Sequence, residues 1–178
     1  MNFVPSESGL LVPEEPKVLF SGRYDGRIIR AGEVIDEFSF DNTIVNQGLN
    51  YLLNVALASA TQLSAWYVGL FQGNYTPVAG DTASSIASNS TECSSYTAST
   101  RQAFTGVTST AESITNAASQ ATFTFSAAVT IYGAFVISSS AINGTTGTLL
   151  SAARLASSKS VSSGDQLLIS YTLNAASS

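Results

Sequence analysis

Twelve carboxylates, one thiol and no imidazole are the chemical equipment of this 178-residue chain. Carboxylate acid–base catalysis needs two acids brought together and pushed apart in pKa. Asp81, Glu92 and Asp165 stand far apart, with no spacing that predicts convergence. Asp25-Gly26-Arg27 and the Glu33/Asp36/Glu37 cluster lack the alternating oxygen ligands of a calcium loop and read as solvated turns. A serine nucleophile needs a base; there is no histidine, and Ser157-Ser158-Lys159 has the wrong spacing for a lysine base. Cys93 alone makes neither a disulfide nor a zinc site, and reads as a small packing residue. The residues predict no catalytic group, no metal ligand set and no cofactor. Glu92 and Arg101 differ from the rest because both stand in uncharged surroundings. They are the candidate structural ion pair, pinning a long loop to a sheet.

Composition narrows the partners. Only 11% of residues are charged, against roughly 25% in a typical soluble domain. Such a chain either owes its solubility to Ser, Thr, Asn and Gln or has much of its surface covered. The net charge of −5 leaves no basic footprint for nucleic acid. No apolar run approaches the roughly 20 residues that cross a bilayer. The start, MNFVPSESGLLVPEEP, lacks the basic and apolar regions of a secretory signal, which predicts folding in a cytoplasm.

The elements divide unevenly. Residues 1–16 carry Pro5, Pro13 and Pro16, and predict an extended arm. Phe3, Val4, Leu10, Leu11 and Val12 are its candidate contacts with a neighbouring subunit. Residues 17–178 read as one β-rich domain. Lys17 to Phe40 alternates as two or three strands, with Asp25-Gly26 and Ala31-Gly32 as turn signals. Val45, Leu49, Leu52, Leu53 and Ala56 recur at helical spacing and predict one helix near 46–59, capped by Asn46. Asn74 to Ser99 reads as a long polar loop. Further strands follow at RQAFTGV, in ATFTFSAAVTIYGAFVISSSA, in TGTLLSAARLA and in DQLLISYTL. The whole predicts a mainly β fold, a β-sandwich or jelly-roll-like domain with one short helix and an extended N-terminal arm.

The segment AWYVGLFQG holds the only tryptophan. A stacking platform needs exposed rings beside polar or basic groups; here Trp66, Val68 and Leu70 alternate within an almost continuous apolar run. They are candidate core residues, as are Phe123, Phe125 and Phe135, and the run predicts a strand covered on both faces.

The order NxxVNxGLNYLL, AWYVGLFQGNYTP, Asp81-Thr82-Ala83, Thr91-Glu92-Cys93…Tyr96…Thr100-Arg101-Gln102-Ala103, TIYGAFV and GTLLSAARL…VSSGDQLLISYTL resembles small virion proteins of tailed bacteriophages, over residues 42–173. The resemblance implies a non-enzymatic virion component, made in the host cytoplasm and assembled as a homo-oligomer. Its partners would be the major capsid protein or other virion proteins, with no nucleic acid and no membrane. A capsid decoration (cement) protein is the favoured form, because the aromatics read as buried. A neck, tail or fibre-associated protein, including a receptor-binding module, is the alternative.

Overall fold

The computed structural model describes residues 3–5, 11–13, 18–107, 109 and 111–177. In chain order the elements are β1 (Phe3–Pro5), β2 (Leu11–Pro13), β3 (Val18–Arg30), β4 (Glu33–Asp41), β5 (Thr43–Ile44), α1 (Asn46–Leu57), β6 (Trp66–Phe71) and α2 (Ala83–Asn89). After these come β7 (Gln102–Phe104), β8 (Ser113–Thr115), a 3-10 turn (Ala117–Ser119), β9 (Ala121–Thr124), β10 (Val129–Ile137), β11 (Leu149–Val161) and β12 (Gln166–Ser177).

Two antiparallel sheets form a β-sandwich. One has the order β5-β11-β10-β6-β7. The other runs β4-β3-β12, and the far edge of β12 is shared by β9 and β8. In β3, Gly22, Tyr24, Gly26 and Ile28 are buried alternately, as are Leu167, Ile169, Tyr171 and Leu173 in β12. This is the period-2 pattern of a sheet with one face on a core. β10 differs: Gly133 to Ile137 are all buried. Its inner face joins the main core, and its outer face joins a second cluster with Phe71, Ala83 and Ile86, which α2 helps to cover.

Glycine and phenylalanine pair across strands three times. Gly69 faces Phe135, Gly133 faces Phe71, and Gly26 faces Phe38. A Cβ built on any of these glycines would overlap its partner's ring. The missing side chain is the seat for the ring. That corrects the reading of Asp25-Gly26 as a turn: both lie within β3, and the hairpin turns at Ala31-Gly32, where both φ angles are positive.

The helical expectations change as well. α1 spans Asn46–Leu57, but its N-cap is Val45, and no side chain caps it. Its first turn is held instead by Val45 N donating to Leu150 O (3.1 Å) and Asn46 N donating to Ala79 O (2.8 Å). Gly48 brings the helix onto the Leu150 backbone and is its one buried residue. The expected polar loop contains a second helix, α2, closed by a reciprocal capping box between Thr82 and Ser85. Its Ser-rich sequence conceals the helix, because Ile86 is the only large apolar residue it buries.

The N-terminal prolines do not exclude pairing. β1 and β2 form a two-stranded antiparallel ladder with Phe3 opposite Pro13, Val4 opposite Val12 and Pro5 opposite Leu11. Both prolines sit at ladder ends, where a missing N–H is tolerated. Leu10 lies outside the described residues. Among the described residues no helix is long and apolar enough to cross a membrane.

Candidate functional site

Glu92 follows α2, and Arg101 precedes β7. Arg101 donates from Nε to Glu92 Oε1 and from Nη2 to Glu92 Oε2, both at 2.7 Å, and neither side chain reaches solvent. Arg101 Nη1 also donates to Ser139 O at 2.9 Å, Nη2 to Gly144 O at 3.2 Å, and Asn143 N donates to Glu92 Oε2 at 2.6 Å. The pair therefore ties the loop after β10 to the segment after α2. Desolvating two charges is costly, and these extra bonds offset that cost.

The other buried carboxylates are occupied in the same way. Asp81 accepts from Tyr75 Oη at 2.9 Å, Val78 N at 2.9 Å and Ser85 Oγ at 2.8 Å, which organises the approach to α2. Asp165, in the β11–β12 turn, accepts from Arg30 Nε (2.8 Å), Arg30 Nη2 (2.6 Å) and Ser162 N (2.7 Å). The Arg30 guanidinium holds the Asp165 carboxyl down at about 2. Asp81 and Asp165 are both buried, and each is held by its own set of donors. Among the described residues no group of three or more His, Cys, Asp or Glu comes together. Cys93 is buried, and burial pushes its thiol pKa up, so it stays protonated at neutral pH.

Asn116 has a role that no spacing in the sequence signals. β9 pairs with β12 up to Ile169, and β8 resumes at Thr172. Between them the buried Asn116 amide acts as a strand: its Oδ1 accepts from Tyr171 N at 2.7 Å, and its Nδ2 donates to Ile169 O at 3.4 Å. The 3-10 turn that follows packs beside β12.

Val68, Leu70, Phe123 and Phe125 lie in the main core, and Phe135 lies in the second cluster. Trp66 packs against the main core from its rim. It is only partly buried, at the start of β6, with Tyr51 of α1 edge-on at 5.3 Å. The two rings line an apolar groove of 360 Å³ between α1 and the ends of the sheets, together with Leu52, Val55, Phe104 and Leu173. Tyr171 reaches the same groove, and burial pushes its phenol up to about 12. A second, polar recess of 570 Å³ opens on the outer face of the β3–β4 hairpin, lined by Asp25, Arg27, Glu37, Ser39 and Gln120. Within it Arg27 Nη2 donates to Gln120 Oε1 at 2.8 Å.

The fold is a two-sheet β-sandwich whose buried acids Asp81, Glu92 and Asp165 are engaged by the protein's own donors. The family described as podophage GP4 fiber I protein gp80 matches residues 39–173, and the chain belongs to that family. It is a phage virion structural protein. No curated protein matches the chain. The match names a fiber protein and lends no support to head decoration, the form favoured from the sequence.

Proposed function

We propose that the protein is a non-enzymatic, fibre-associated component of a phage virion. The observation that carries this reading is the family match, which spans residues 39–173 and names a fiber protein. The site chemistry supports it. Glu92, Asp81 and Asp165 are each consumed by internal partners, and the one thiol is buried. The partners are then other virion proteins, and the low charge of the surface suits contacts among them. A net charge of −5 argues against a nucleic-acid partner.

The test is localisation on purified particles. Antibody against the chain, detected with gold by electron microscopy, should mark fibres and leave the head shell unlabelled. Particles whose fibres are sheared off should lose the protein while retaining the major capsid protein. Labelling spread over the head lattice, at a copy number matching the capsid protein, would return the protein to the decoration class.

A further inference from the structure

We propose that the groove between α1 and the sheet ends is the seat of the chain's own N-terminal ladder, β1–β2. The groove is apolar: among the described residues that line it, Gln62 alone carries an amide side chain and none is charged. An aqueous surface of this kind calls for an apolar occupant. The ladder has that chemistry, because Phe3–Pro5 and Leu11–Pro13 contain no charge and no hydroxyl.

The ladder also requires a support. Among the described residues it forms a sheet of its own, joined to neither face of the sandwich by strand pairing. A lone two-stranded hairpin is marginal in water, and three residues per strand is below the usual strand length. Packing on an apolar surface supplies what the ladder lacks.

Position connects the two. The chain joins the body at Val18, the first residue of β3. Phe20, two residues on, lines a smaller recess of 220 Å³ together with Ile114 and Leu173. Those two residues also line the groove, so the recess adjoins it. The stretch from Pro13 to Val18 spans at most about 17 Å. The ladder is therefore tethered beside the mouth of the groove, at a high effective concentration. This inference concerns the chain's own assembly and stands whichever part of the virion holds the protein.

Trp66, the only tryptophan, lies in the groove and reports its occupancy in the full-length chain. The double variant Val4→Asp, Val12→Asp places charge on the ladder and leaves the sandwich core untouched. Its Trp66 emission should shift to the red, and iodide quenching should increase severalfold over wild type, with unchanged far-UV circular dichroism. From the other side, Val55→Asp charges the groove wall. It should give the same quenching, and it should speed tryptic cleavage after Lys17 although the arm sequence is unaltered. Should Val55→Asp fail to fold, the ladder variant decides the matter alone. Equal quenching in wild type and the ladder variant, with equal cleavage after Lys17, would overturn the proposal. So would Trp66 shielding that persists in the ladder variant and is lost on dilution, because a second copy would then be the occupant.

Discussion

Phe135 supports Arg101: the guanidinium carbon lies 5.2 Å from the centroid of its ring. The same ring occupies the space left by Gly69 on the neighbouring strand. One aromatic side chain thus connects a sheet register to the buried ion pair that holds the loops. Cation–π contacts strengthen when both groups are desolvated, as here.

The pair itself should be costly to break. Arg101→Ala and Glu92→Ala each leave a buried charge without its partner, and each should destabilise the fold by about 3–5 kcal/mol. The double variant should cost less than the sum of the two, because it strands neither charge. Urea unfolding of the four proteins measures this cycle. Arg101→Lys should recover little, since an ammonium cannot reproduce the two parallel bonds to Glu92.

Gly69→Ala should destabilise by about 1–3 kcal/mol, because Phe135 must leave its seat and strain its packing. Gly80→Ala is the control, since a Cβ there meets nothing within 4 Å. Its urea midpoint should stay close to wild type. A Gly69→Ala midpoint equal to the control would show that the ring relocates freely.

Acid should weaken the β11–β12 turn in a defined window. The Asp165 carboxyl falls from its ordinary 3.8 to about 2 in the folded protein, chiefly through its bonds from Arg30. A group depressed by folding stabilises above its unfolded value and loses that contribution as pH falls through the folded value. The contribution should be fully present above about pH 5 and decline progressively toward pH 2. Thermal unfolding of wild type and Asp165→Asn should therefore differ most at neutral pH and converge only as pH falls through about 2. A constant gap across that range would remove the carboxylate charge from the explanation.

Asn116→Ala should uncouple β8 and β9 on the edge of β12. It strands the Tyr171 N–H, a buried donor, at a cost of about 1–3 kcal/mol. Hydrogen exchange at Tyr171 should accelerate more than at Leu167, which keeps its pairing with Phe123.

Much of this architecture is local and was readable in the order of residues. Alternation in β3, β4 and β12 follows from side chains pointing to opposite faces of a strand, and a sandwich follows from many such strands separated by polar turns. The helical stripe from Val45 to Ala56 places α1 within two residues of its observed end. Even the Glu92–Arg101 candidate rests on a simple argument, that two opposite charges isolated among apolar and hydroxylic residues need each other.

Tertiary structure decided what depends on register and approach between distant segments. Gly26 has the composition of a turn in its own neighbourhood, and only the pairing with β4 brings Phe38 over it. Asn116 resembles any polar turn residue until the break between β9 and β8 exposes two backbone groups of β12 that its amide fits. Trp66 belongs to an apolar run that reads as core throughout, yet it begins the strand at the sandwich end, where α1 leaves a groove instead of a seal. Side-chain type and periodicity are properties of a few consecutive residues. Which surfaces meet, and which remain open, is a property of chain segments well over a hundred residues apart, set by strand pairings such as Ser177 with Val18.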